Sequence, residues 1–213
     1  LLSKRGDLFI TDVNIPTVVE AALFINKPTA VKKQINLHVD LPPSLPPVPG
    51  DAGRLTDAVH QLIDNAIKFT DTGEVVISVT SRSLAFPQIE EQKNTCEIRF
   101  TVKDTGIGIE ESLQDKIFDH FRQAELSDSR EYGGMGLGLA IAKAYVKIFG
   151  GHIWLKSEYG AGSVFYFTIP LDRNMKNNPG RLEENYIDLT DKTILIVEDE
   201  EFNLIILKNI FCF

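Results

Sequence analysis

Cysteine is nearly absent from this chain. Two occur in 213 residues, Cys96 and Cys212, without a CxxC spacing or a neighbouring His cluster, which excludes a disulfide framework and a structural zinc site. That usage fits a reducing cytoplasm. No apolar run approaches the roughly 20 residues of a membrane-spanning helix, and the first residues lack the pattern of a secretory leader. The chain is therefore expected to be soluble and cytoplasmic, with any membrane anchor of the full-length protein lying upstream of Leu1. Basic residues are also short: 22 Lys and Arg against 30 Asp and Glu leave a net charge of -8. This is the wrong sign for a nucleic-acid surface, though compatible with a local phosphate site. What remains, 43% hydrophobic and 24% charged, is ordinary globular composition, enough for one substantial core plus a fragment.

Residues 1–14 read as the end of an upstream element. Pro16 in a first turn, followed by Val18, Val19, Ala22 and Leu23, predicts a helix that ends near Asn26 to Pro28, because proline cannot continue it. QINLHVD, residues 34–40, alternates Ile35, Leu37 and Val39 with polar residues, the period of a half-buried strand with His38 on its polar side. LPPSLPPVPG then predicts no regular structure and delivers the chain to Asp51, a good N-cap.

From Asp51 to Thr70 the sequence DAGRLTDAVHQLIDNAIKFT has two faces. Leu55, Ala58, Val59, Leu62, Ile63, Ala66 and Ile67 recur at the spacing of an amphipathic helix and are expected in the core. His60, Gln61, Asp64, Asn65 and Lys68 form a polar stripe. Amide oxygens suit a hard cation, and a Lys one turn on suits phosphate, so the stripe fits a metal-phosphate partner as well as plain solvent.

Beyond the DTG turn, EVVISVTSRS and CEIRFTVK are two strands of an antiparallel hairpin with a long polar connection. The second ends in Asp104-Thr105-Gly106-Ile107-Gly108-Ile109. A carboxylate there is acceptor-only and suits the exocyclic amine of a purine, or equally an ordinary Asx turn. Residues 110–132 are polar, broken by Ile117, Phe118 and Phe121, and form a candidate lid. GGMGLGLAIAKAYVKIFGG then opens a helix, predicted over 136–149, behind glycines that expose backbone N–H groups to anions. It is neither a Walker A loop nor a Rossmann fingerprint. HIWLKS and SVFYFTI make a final hairpin, and residues 172–192 a linker. TILIVEDEEFNLIILKNIF begins another unit.

Taken in order, HQLIDNAIKFT, DTGIGI, IFDHFRQ and GGMGLGLAIAK resemble the N box, first glycine box, F box and second glycine box of the ATP-binding catalytic domain of sensor histidine kinases. That domain belongs to the superfamily of gyrase, heat-shock chaperone and mismatch-repair ATPases. The resemblance spans roughly Leu8 to Leu171 and implies a two-layer α/β sandwich, a mixed sheet with helices on one face and an ATP lid between the glycine boxes. It implies that Asn65 holds the Mg²⁺ of ATP and Lys68 its phosphates, and that Asp104 takes the adenine amine in a pocket shaped by Gly106 and Gly108. Phe118 and Phe121 would anchor the lid, Gly134, Gly136, Leu137 and Gly138 would hold the phosphates, and Ser163 would lie near the adenine.

Two positions depart from that pattern. Gln61 stands where the superfamily has Asn or Glu, and an amide cannot serve as the base of a hydrolysing ATPase. Gln61 is therefore placed with Asn65 and Lys68 as a candidate catalytic residue for phosphoryl transfer, with His60 the nearest basic group. Met135 replaces a small Thr. None of His38, His60, His120 or His152 sits in an acceptor context, so dimerisation and acceptor helices are expected upstream. The full-length protein is expected to be a homodimer, and this stretch a monomer. ILIVEDEEFN resembles the first strand of a response-regulator receiver, with Glu198 and Asp199 as its Mg²⁺-binding pair. The implied organisation is an upstream end at 1–14, a catalytic domain at 15–171, a linker at 172–192 and a receiver start at 193–213. The implied activity is transfer of the ATP γ-phosphoryl to a histidine on a separate helical domain, with a receiver domain or response regulator as partner. A hydrolysing ATPase and a non-catalytic nucleotide-binding module are the alternatives.

Overall fold

Asp51 accepts the Arg54 N–H at 3.1 Å and caps helix α2, Ala52–Lys68. The computed structural model describes residues 10–84, 95–114, 116–118 and 137–171. Helix α2 buries Leu55, Ala58, Val59, Leu62, Ile63, Ala66 and Ile67, the same seven positions that its spacing selects. Each large member contributes about 1.5–3 kcal/mol on leaving water. At its far end Lys33 donates to the Ile67 and Lys68 carbonyls at 2.9 and 2.8 Å, satisfying acceptors that the helix itself cannot.

Lys33 closes helix α1, Ile15–Lys33, which Asn14 caps by accepting the Thr17 N–H at 3.1 Å. The expected stop near Asn26 to Pro28 is corrected: the helix runs through Pro28 to a left-handed C-cap at Gln34, φ 58°. Pro28 removes one internal bond, but Ala22, Asn26 and Ala30 on either side of it are buried and hold the helix on course. The carbonyl it leaves, that of Phe24, belongs to a residue 80% exposed, where water can take it.

A second correction concerns the end of the proline-rich stretch. Strand β1, Thr11–Val13, pairs antiparallel with β3, Val48–Gly50, where no regular structure was expected. Val13 and Val48, 3% and 0% exposed, anchor the pair in the core.

The main sheet has five strands in the order β2-β4-β5-β7-β6: Asn36–Asp40, Glu74–Leu84, Thr95–Asp104, Gly162–Pro170 and Ile153–Glu158. Among the described strands only β2 and β4 run parallel, so the sheet is mixed as expected, with both expected hairpins present. Strand β2 lies at an edge, which leaves Val39 44% exposed. Helices α1, α2 and α4, Gly138–Ile148, pack on one face of the sheet. Between the layers lie Phe100 stacked on Phe167 at 4.4 Å, with Phe149, Phe165, Leu62 and Ile77. A short helix α3, Glu111–Gln114, follows the glycine turn. No helix among the described residues is long and apolar enough to cross a membrane. Phe121, Gly134, Met135, Gly136, most of the 110–132 stretch, the linker, and Glu198 with Asp199 lie outside the described residues.

Candidate functional site

Asp104 ends β5 and is 5% exposed. Its Oδ1 accepts the Gly106 N–H at 2.9 Å and the Ser163 N–H at 3.1 Å. Among the described residues Oδ2 has no partner. Burial pushes the carboxyl above the usual carboxylate range, and the two backbone hydrogen bonds pull the other way. The group is thus a buried acceptor with one oxygen fixed and one spare.

The glycine turn after Asp104 is clamped from two sides. Ile107 donates to the Phe69 carbonyl at 3.1 Å, tying the turn to the end of α2, and accepts the Gly160 N–H at 2.7 Å from the β6–β7 hairpin. Gly108, at φ 69°, packs so closely that a Cβ there would run into the Glu158 carbonyl. A Cβ on Gly106 would meet the Phe69 carbonyl, and one on Gly162 the Asp104 carbonyl. These contacts are main chain against main chain.

Ser157 and Gln114 complete the clamp, and sequence reasoning missed both. The Ser157 hydroxyl accepts the Ile109 N–H at 2.8 Å. Gln114 Nε2 donates to the carbonyls of Ile109 and Ser157 at 2.9 and 3.0 Å. The available signal was the pair of serines flanking the EYGAG turn, which the strand register sets opposite one another. A cavity of about 330 Å³ opens here, lined by Asp104, Ser157, Ser163, Lys103, Lys156 and Glu158 among others. Lys103 alternates with Asp104 along β5 and so stands on the other face of the sheet. The cavity therefore wraps the strand ends and does not reach the α2 stripe.

That stripe divides between two neighbours. His60 turns towards α1, where its Nδ1 lies 2.9 Å from Asn26 Nδ2. His60 is half-buried, and this contact occupies its Nδ1. Gln61 instead faces α4: its Oε1 lies against Gly138, where a Cβ would collide with it. Helices α2 and α4 thus meet at this pair. Among the described residues no side chain caps the N-terminus of α4 after Leu137, where the first-turn N–H groups have no partner within the helix. Asn65 is half-buried, and its amide makes no hydrogen bond among the described residues. Lys68 lies 5.2 Å from the Phe69 ring centre. Burial lowers its pKa from the ordinary lysine range, while Asp64 opposes the shift. Phe118 packs edge-on to Phe165 at 6.3 Å, with Lys143 5.9 Å from its ring.

The site therefore has two halves joined through the Phe69–Ile107 bond: Asp104, Gly106, Gly108 and Ser163 at the strand ends, and Gln61, Asn65, Lys68 and Gly138 in the helical layer. This two-layer α/β domain matches the structure of full-length ShkA in complex with AMPPNP, with a TM-score of 0.62 at 28% identity, over 78% of this chain and 32% of that one. The catalytic domain of histidine kinase ThkA matches with a TM-score of 0.58 at 25% identity, over 76% of this chain and 95% of that one.

The chain belongs to the family of histidine kinase-, DNA gyrase B- and HSP90-like ATPases, which matches residues 50–173. Among curated relatives, histidine protein kinase 1 of Candida albicans is 38% identical over 162 residues, 76% of this chain and 6% of that protein. The signal transduction histidine-protein kinase BarA of Escherichia coli K12 is 41% identical over 140 residues, 66% of this chain and 14% of that protein. Hybrid signal transduction histidine kinase B of Dictyostelium discoideum is 35% identical over 161 residues, 75% of this chain and 8% of that protein. The chain thus spans only a small part of the length of these relatives.

Proposed function

We propose that this chain is the ATP-binding catalytic domain of a hybrid sensor histidine kinase, which transfers the ATP γ-phosphoryl to a histidine on a separate helical domain. Asp104 carries the reading. A buried carboxylate with one oxygen pinned by two backbone N–H groups and the other spare is built to accept from an amine, and adenine offers one beside a glycine turn that lets the ring approach. The family match and the histidine kinase relatives support the reaction class.

In this reading Asp104 takes the adenine amine, Ser163 stands beside it, and Gly106 and Gly108 let the backbone close on the ring. Lys68 and the N–H groups after Leu137 at Gly138 face the phosphates, with Gly134 and Gly136 before them. Phe118, with Phe121, anchors the lid. Asn65 offers a carbonyl oxygen to Mg²⁺. Among the described residues no three His, Cys, Asp or Glu side chains converge on a metal position, so the ion's other ligands would be phosphate oxygens and water, as suits Mg²⁺. When bound, the ion neutralises charge building on the phosphates. The protein's own work is positioning and donation of N–H groups and an ammonium. Gln61 offers no carboxylate base, which favours transfer to histidine over hydrolysis.

The domain would run from about residue 10 to 171. Residues 172–192 would then be a linker and 193–213 the start of a receiver with Glu198 and Asp199 as its acidic pair. Cytoplasmic location and a homodimeric full-length protein, built through upstream acceptor helices, follow the same reading. The test is phosphotransfer from ATP to supplied acceptor helices. Asn65→Asp should abolish it and alter its metal dependence, and an unchanged rate would remove Asn65 from the metal site. Unchanged calorimetric ATP affinity in Asp104→Asn would refute the adenine assignment.

A further inference from the structure

The Ser157 hydroxyl, which ties down the glycine turn through Ile109, is a junction. It accepts the Ile109 N–H at 2.8 Å, lies 3.0 Å from the Gly162 carbonyl and 2.9 Å from the Ser163 hydroxyl. Both serines line the cavity beside Asp104. A hydroxyl has one proton and two acceptor sites, so two arrangements satisfy this geometry. In one, Ser157 donates to Gly162 and accepts from Ser163, which then shows a ligand only lone pairs. In the other, Ser157 donates to Ser163, whose own proton is released to point outward.

Asp104, whose backbone-bonded carboxylate sits next to Ser163, can only accept when it is ionised. Adenine carries an amine donor beside a ring-nitrogen acceptor, so its edge needs an acceptor and a donor side by side. Only the second arrangement provides that pair.

We propose that Ser157 is a specificity-determining residue of the base pocket: its proton moves from the Gly162 carbonyl to the Ser163 oxygen and turns Ser163 into a donor for the ring nitrogen of adenine. The inference rests on the adenine-nucleotide reading above. Without Ser157, Ser163 loses the contact that fixes its rotamer, and its proton is free to turn to the Asp104 carboxylate.

The experiment is calorimetric titration of the full chain with ADP and with 1-deaza-ADP, in which C–H replaces the ring nitrogen beside the amine. The unaltered chain should prefer ADP about tenfold, the worth of one well-made hydrogen bond to a buried partner. Ser157→Ala should reduce that preference to about twofold or less, Ser157→Thr should keep it, and Ser163→Ala should remove it. In the Ser163→Ala background, adding Ser157→Ala should change the preference no further. Equal weakening of both ligands by Ser157→Ala would make Ser157 a strut of the glycine turn and overturn the proposal. So would retention of the preference in Ser163→Ala, a variant that keeps the Ile109 contact intact. If the unaltered chain bound neither ligand, the adenine-nucleotide reading itself would fall, and the proposal with it.

Discussion

Asn26 on α1 donates from Nδ2 to His60 Nδ1 on α2 at 2.9 Å, and to the Ala22 carbonyl at 2.8 Å. It is the only polar residue on the buried face of α1, 2% exposed. Because an amide nitrogen only donates, Nδ1 is the accepting nitrogen and the ring proton sits on Nε2. Asn26→Ala leaves the ring nitrogen without its partner and should cost about 1–3 kcal/mol, whereas Asn26→Leu with His60→Leu should recover most of that loss. Denaturant melts of both single variants and the double variant test this, and strictly additive effects would mean that the bond does not couple the helices.

Asp104→Asn should separate binding from stability. The folded chain holds the Asp104 proton more tightly than the unfolded chain does, so ionising this group lowers stability as pH rises through its raised pKa. An asparagine oxygen can accept both N–H groups without a buried charge. The variant should therefore melt higher than the parent at neutral pH, with the difference shrinking as pH falls through that raised pKa. Its ATP affinity should drop about 10–100-fold, since a charged acceptor is replaced by a donor amide facing an amine.

Lys68 should give nucleotide affinity a pH signature. Its lowered pKa means that the free site loses its positive charge at a lower pH than an ordinary lysine would. Phosphate binding favours the charged form, so affinity should decline, and proton uptake on binding grow, as pH rises through that lowered value. Lys68→Arg stays charged throughout and should flatten the decline. Calorimetry in buffers of different ionisation enthalpy measures both effects, and parallel profiles for parent and variant would exclude Lys68 from the phosphate contacts.

Pro28→Ala should stabilise the fold. A proline inside a helix costs up to about 3 kcal/mol, and helix α1 continues through this one. Partial relaxation around the ring suggests a gain of about 1–3 kcal/mol, or roughly 2–4 °C in melting temperature for each kcal/mol. A lower melting temperature would show that the chain here is adapted to the ring.

What the sequence disclosed depended on whether one neighbour or several acted on a residue. Helix α2 meets the core along one stripe, so its seven buried positions are readable from spacing. Helix α1 is apolar on both sides, with Phe24 and Val31 80% and 67% exposed. Its pattern therefore fades where Pro28 interrupts it, and the tertiary contacts that carry it onward are not local. The three-residue strands β1 and β3 are too short for any periodicity. Asp104 stood out as a carboxylate at a strand end against glycines. His60 and Gln61 were read as one polar face, yet α1 takes one and α4 the other. Ser157 gave little sign because a hydroxyl in a strand becomes a junction only through partners brought from distant segments.

The main-chain crossings at Gly106, Gly108 and Gly162, against Phe69, Glu158 and Asp104, bear on mutational tolerance. A saturation scan scored by growth would show these three positions as intolerant, as if they were the reactive centre, although any side chain there is excluded before a ligand arrives. Ser157 and Asp104 would accept more substitutions for folding and fewer for nucleotide choice. Scoring abundance and binding separately would sort the positions that build the pocket from those that read its contents.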